Sequence, residues 1–266
     1  MQQTTCAGLF TRRFGPPVRP GGPTAVLVHG LGLSGRYFAP LARRLAARGA
    51  TVFVPDLPGN ARSRSAARRM PDIGQAADAL ARWYQALALG PSLLVANSVG
   101  CQVAAALVAH HPDTARHMVL VGPALDPRVS TGGQAGRLLA DIPREPLSLL
   151  AVAASDYLTT GPLRFTASFR HALRDATTLF EAHLARVRVP TLVVRGAGDT
   201  LAPAPWVRRV ARTVGDGHTA VIEGAAHAAH YSAPGALSAL IGDFTALHRG
   251  GPRPAPDRGP ARHPCC

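Results

Sequence analysis

The sequence contains no lysine: each of its 29 basic residues is an arginine. Beside 24 prolines and 27 glycines, that one-sided usage matches a GC-rich coding sequence better than selection for a ligand. Only 15 residues are acidic, so the net charge is +14. Such a balance would raise nucleic acid as a partner. The arginines are scattered, however, with short pairs at Arg43-Arg44, Arg68-Arg69 and Arg208-Arg209, and neither aromatic interleaving nor zinc-finger spacing accompanies them. We therefore expect a solvated basic surface and no nucleic-acid partner.

Cysteine is scarce as well. Cys6, Cys101, Cys265 and Cys266 form neither a disulfide framework nor a metal-ligand spacing, and no cofactor or metal is expected. No apolar run is long enough to cross a bilayer. The longest candidate, 93–108, is interrupted by Asn97, Ser98 and Gln102. Thr11-Arg12-Arg13-Phe14 superficially resembles a twin-arginine export signal, but Gly15-Pro16-Pro17 follows where an apolar stretch should stand. These absences favour a cytoplasmic protein that acts on a small molecule and has no membrane partner.

What is present is a core. Hydrophobic residues make up 47% of 266 positions, enough for one large domain with an insertion or for two small domains. Apolar strands expected at 25–29, 51–54, 92–96, 117–121, 191–195 and 218–222 alternate with helices expected at 35–48, 72–89, 99–110, 205–214 and 233–247. That alternation predicts an α/β fold, a mostly parallel sheet covered by helices on both faces. At 1–20 there is at best a short edge strand near 9–14. Between 126 and 189 no strand is expected, and 135–141, 146–158, 162–174 and 177–186 read as helices. The domain reading is thus a core of 1–125 and 190–248, a helical cap insertion of 126–189, and a disordered Pro/Arg-rich tail of 249–266.

One corner of this pattern carries chemistry. Ser98 sits between the apolar run Leu93-Leu94-Val95-Ala96-Asn97 and the alanine-rich run that begins Val99-Gly100-Cys101. A serine on such a strand-to-helix turn is pushed out of the sheet, with neighbouring N–H groups directed toward it. Its hydroxyl becomes a useful nucleophile only when a base takes the proton and a third group orients that base. Asp199, in Gly196-Ala197-Gly198-Asp199, and His227, in Gly224-Ala225-Ala226-His227, both follow expected strand ends, where side chains enter a crevice. The N–H groups of Leu31, in His29-Gly30-Leu31-Gly32, and of Val99 could converge on a developing oxyanion.

Taken in order, His29-Gly30-Leu31-Gly32, Pro55-Asp56-Leu57-Pro58-Gly59, Ala96-Asn97-Ser98-Val99-Gly100, Gly196-Ala197-Gly198-Asp199 and Gly224-Ala225-Ala226-His227 resemble the α/β-hydrolase family over roughly residues 25 to 247. The resemblance implies an α/β-hydrolase fold with an inserted helical cap, a Ser98 nucleophile, a His227 base and an orienting Asp199. Ala96 departs from the family pattern at the first elbow glycine, and Asn60 and Ala61 depart from it after the second strand. The implied activity is cleavage of a small or medium, apolar acyl ester or thioester through an acyl-Ser98 intermediate. Leu147, Leu149, Leu150, Leu158, Leu163, Phe165 and Phe169 of the cap would favour an apolar group.

Alternatives stay open. The Asn-Ser pair at the elbow is also found in carbon–carbon bond hydrolases of the same fold. Gly30-Leu31-Gly32-Leu33-Ser34-Gly35 formally matches a dinucleotide fingerprint with Asp56 ending the next strand, an NAD(P)-dependent oxidoreductase reading. A non-catalytic ligand-binding relative is a third. Asp126 competes with Asp199, and His230, read as a lid or packing residue, competes with His227.

Overall fold

The computed structural model describes residues 1–248. The tail expectation for 249–266, with Cys265 and Cys266, lies outside the described residues. Eight strands form one sheet: β1 (Gln2–Cys6), β2 (Leu9–Phe14), β3 (Thr24–Val28), β4 (Thr51–Pro55), β5 (Ser92–Asn97), β6 (Ala115–Val121), β7 (Thr191–Gly196) and β8 (Gly217–Ile222), in the order β1-β2-β4-β3-β5-β6-β7-β8. From β4 through β8 every pairing is parallel, whereas β1 and β2 join antiparallel. The central strands coincide with the expected apolar runs to within two residues.

The N-terminal hairpin corrects the expectation of at best one short edge strand. β1 is the edge, and β2 lies inside the sheet between β1 and β4. β2 falls on the strand expected near 9–14, but Arg12 and Arg13 make it read as an edge. Arg12 is nevertheless buried, because its guanidinium pairs with Asp56 at 2.6 Å. The turn between the two strands uses Ala7 and Gly8, both at positive φ, as a tight two-residue hairpin requires.

Side chains alternate across the pleat. Val26 and Val28 of β3 enter one apolar cluster, and Ala25 and Leu27 enter the other. The first cluster is closed by α2 (Ile73–Ala86), α3 (Gly100–His110), α7 (Phe180–Arg186) and α8 (Ala204–Thr213). The second is closed by α1 (Ala39–Ala47) and α10 (Pro234–Leu247), with the short α9 (Ala229–Ser232) beside them. Helix α3 is buried from Gly100 to Ala109, which explains an apolar, alanine-rich sequence with no polar face. The expected helix at 35–48 starts instead as a 3-10 turn, Gly35–Phe38, before α1.

Between β6 and β7 the chain is helical: α4 (Thr131–Asp141), α5 (Leu147–Thr160), α6 (Pro162–Thr178) and then α7. This insertion is fastened over the C-terminal ends of the strands. Asp156 of α5 accepts hydrogen bonds from Ser34 N (2.9 Å), Ser34 Oγ (2.7 Å) and Arg36 (2.6 Å), and Thr160 Oγ1 donates to Gly32 O at 3.1 Å. No helix among the described residues is long and apolar enough to cross a membrane.

Candidate active site

Ser98 directly follows β5 with φ +59, a left-handed conformation that is strained for a side-chain-bearing residue. The strain is held from both sides: Ser98 N donates to Val121 O on β6, and Cys101 N of α3 donates to Ser98 O, each at 3.0 Å. The corner also requires Gly100, where a Cβ would stand 2.6 Å from the carbonyl oxygens of Val28 and His29. The sharp turn therefore follows from a glycine that lets α3 sit against β3.

Asp199 lies in the loop after β7 and is 3% exposed. Its Oδ1 accepts from the N–H groups of Leu201 and Ala202, both at 2.9 Å, and the carboxylate faces His227 Nδ1 at 3.1 and 3.2 Å. Burial pushes the Asp199 carboxyl upward, but His227 and the two N–H donors outweigh it and hold the group below its ordinary range. Burial likewise works against a charged His227. Asp199 first, then Asp141 and Glu145, overcome that and raise the imidazole to about 9. With Nδ1 donating to Asp199, the other ring nitrogen, Nε2, is buried and without a hydrogen-bond partner.

Ser98, His227, Leu31 and Val99 all line one cavity of about 350 Å³. The backbone N–H groups of Leu31 and Val99 have no acceptor among the described residues. Asp199 supports the cavity from behind His227, so the structure brings together all five residues singled out in the sequence. Ser98 Oγ and His227 Nε2 are not bonded to each other, the looser arrangement common before substrate enters.

The competing residues go elsewhere. Asp126 is engaged with the guanidinium and N–H of Arg128; burial raises its carboxyl, but Arg128 prevails and lowers it. His230 is fully buried between Tyr37 and Phe38, with ring centroids 4.3 Å from each, and burial keeps it neutral. Asp56, which a dinucleotide site needs for a ribose, is buried and occupied by Arg12, Gly35 N and Arg62 N. Cys101 is buried within α3. The cap residues divide. Leu149, Leu150 and Phe169 line the cavity, but Leu147, Leu158 and Leu163 are 84%, 84% and 87% exposed, on the outer side of their helices. Helical periodicity shows which residues share a face, not which face turns inward.

Several contributors were not singled out from sequence. Tyr37 OH accepts from Gly30 N (2.8 Å) and donates to Asn97 Oδ1 (3.0 Å). Gly122, at φ +53, leaves room for the Asp199–His227 pair: a Cβ there would lie 2.8 Å from Asp199 Oδ2. His29, wholly buried, accepts from Leu57 N through Nε2 at 2.8 Å, so that Nδ1 donates to Gly30 O and the two loops are joined. A histidine before a glycine-rich loop was a legible signal; Tyr37 and Gly122 had none. Among the described residues, Asp216, His218 and His248 group three potential metal ligands, but they lie outside the cavity.

Residues 25–240 match the Alpha/beta hydrolase family. The chain is 29% identical to the magnesium-chelatase 30 kDa subunit of Rhodobacter capsulatus, covering 84% of this chain and 87% of that one. It is 26% identical to the 2-(acetamidomethylene)succinate hydrolase of Mesorhizobium japonicum, covering 84% and 88%. Among solved structures it superposes on a thermophilic esterase from Thermogutta terrifontis with a TM-score of 0.74 at 21% identity, over 93% of this chain and 99% of that one. By its family match and its architecture, this chain belongs to the alpha/beta hydrolase family.

Proposed function

We propose that this α/β-fold hydrolase cleaves a small or medium acyl ester or thioester through an acyl-Ser98 intermediate. His227 Nε2 takes the Ser98 Oγ proton as Oγ attacks the substrate carbonyl. The N–H groups of Leu31 and Val99 receive the oxyanion, worth about 3 kcal/mol of transition-state stabilisation per donor. Collapse breaks the carbonyl–leaving-group bond, and the leaving alcohol or thiol takes the proton from His227. Water, deprotonated by the same nitrogen, then attacks the acyl-enzyme and restores Ser98. Asp199 keeps Nδ1 protonated and stabilises the imidazolium.

One observation carries this reading: a strained serine shares a cavity with the unpartnered nitrogen of a histidine whose other nitrogen is held by a buried carboxylate. The apolar cavity wall from Leu149, Leu150 and Phe169 suits an acyl chain or aromatic acid. A fluorophosphonate probe should label the wild-type protein and not Ser98→Ala, and short-chain nitrophenyl esters should be hydrolysed only by the former. A folded wild-type protein that resists labelling would refute the assignment.

A further inference from the structure

The end of the sheet opposite the Ser98 cavity gathers donors that the hydrolytic reading does not use. Ser98, Asp199 and His227 follow the C-terminal ends of β5, β7 and β8, whereas Asp216 and His218 stand where β8 begins. Their side chains meet there, His218 Nε2 donating to Asp216 Oδ1 at 2.8 Å. The C-terminal end of α10 brings up His248. Among the described residues, one ligand atom from each of these three lies within 4.8 Å of the other two.

The half-buried His248 is already oriented. Its Nδ1 donates to Phe244 O at 2.8 Å, which leaves the lone pair of the neutral ring on Nε2. Histidines that ligate a metal are commonly fixed by such a bond from the other nitrogen to a backbone carbonyl. His117 Nε2, on β6, donates to His248 O at 3.2 Å and ties the helix end to the sheet. Phe244, 5% exposed, packs against the rings of His218 and His248, with centroids 5.8 and 4.5 Å away. Packing thus sets the floor of the site. Its mouth is open, because the His218 and Asp216 side chains are 47% and 46% exposed.

Two imidazoles and a carboxylate, with no thiolate, suit Zn²⁺, Co²⁺ or Ni²⁺ better than Mg²⁺ or Ca²⁺, which prefer oxygen ligands. Ligands about 2.0–2.2 Å from one ion stand about 3–4 Å from each other, so closing the site takes a shift of about an ångström. The exposed Asp216 and His218 side chains can make that shift.

We propose that Asp216, His218 and His248 form a structural site for a zinc-class divalent cation, which clips the edge strand β8 to the end of α10. The ion replaces the proton between His218 Nε2 and Asp216 Oδ1, that proton passes to solvent, and water completes the coordination. The site is independent of the reaction at Ser98.

The test titrates Zn²⁺ calorimetrically into the full-length, tag-free chain carrying Cys265→Ser and Cys266→Ser, so that those thiols do not compete. This parent protein should bind one equivalent and gain in melting temperature, and Co²⁺ should add visible ligand-field bands. Mg²⁺ should give no binding heat. His218→Gln and His248→Gln should each weaken Zn²⁺ binding at least about tenfold and abolish the Co²⁺ bands. Asp216→Asn, the further variant should either of those not fold, should weaken it as well. No Zn²⁺ binding by the parent, or undiminished binding in the variants, overturns the proposal and leaves Asp216 and His218 a surface ion pair only. Neither result alters the fluorophosphonate labelling expected of Ser98, at the other end of the strands.

Discussion

Tyr37 and Asn97 share a buried hydrogen bond of 3.0 Å, hydroxyl to Oδ1, and through it three loops become one unit. Tyr37 takes the N–H of Gly30, beside Leu31, the proposed oxyanion donor. Asn97 Nδ2 donates to Val121 O at 2.9 Å and to His227 O at 3.3 Å. The residue preceding Ser98 is thus a strut between β5, β6 and the histidine loop.

Tyr37→Phe should remove the donor to Asn97 and the acceptor for Gly30 N while keeping the ring packed edge-to-face against His230. We expect a loss of about 1–3 kcal/mol in urea unfolding, the cost of unsatisfied buried groups, with kcat falling more than KM rises. Unchanged kinetics with nitrophenyl esters would show that the strut serves stability alone.

Asp199→Asn should leave the fold in place and lower kcat by roughly 10³ to 10⁴, because an amide no longer enforces the Nδ1-protonated tautomer. Asp126→Asn should stay close to wild type, since that carboxylate serves Arg128. The reverse ranking of the two variants would reassign the acid.

The acids around His227 make a sign prediction for pH. Below about 9 the imidazolium is favoured and Nε2 cannot accept the Ser98 proton, so kcat/KM should climb with pH through that value. Glu145→Gln and Asp141→Asn each remove negative charge that holds the proton on His227, and the midpoint should move to lower pH in both. Midpoints that stay fixed or rise would show that the two carboxyls do not act on His227.

Gly122→Ala would force a Cβ to within 2.8 Å of Asp199 Oδ2 and 2.9 Å of His227 Nδ1, at a φ of +53. Displacing the pair by a fraction of an ångström to an ångström should cost kcat about a hundredfold. Gly132→Ala, in α4 where nothing lies within 4 Å of the added carbon, is the matched control and should leave kcat unaltered. Equal kinetics for the two variants would remove Gly122 from the site.

The parts legible from sequence are those where one short segment carries both the pattern and its chemistry. An apolar run, a small-residue corner and an alanine-rich helix bring Ser98 forward as a candidate, and Gly-rich loops after strands bring forward Asp199 and His227, with Asp126 and His230 beside them. The interior place of β2 was hidden because Arg12 is buried only by virtue of Asp56, 44 positions away. The outward turn of Leu147, Leu158 and Leu163 was hidden for a related reason: the side of a helix that meets the core depends on what it docks against.

Chain order and local periodicity by themselves therefore set out the parallel sheet, the helical run between β6 and β7 and a short set of candidates, Ser98, Asp199 or Asp126, and His227 or His230, because strands, helices and strand-end loops are set by neighbouring residues. Only the tertiary structure decided that Asp199 rather than Asp126 meets the histidine, and that Tyr37, Gly122 and Glu145 belong to the same site. Those choices rest on contacts such as Asn97 to His227, 130 positions apart. Distance, burial and the direction of a side chain at such a contact are fixed by packing the whole chain, and no local pattern encodes them.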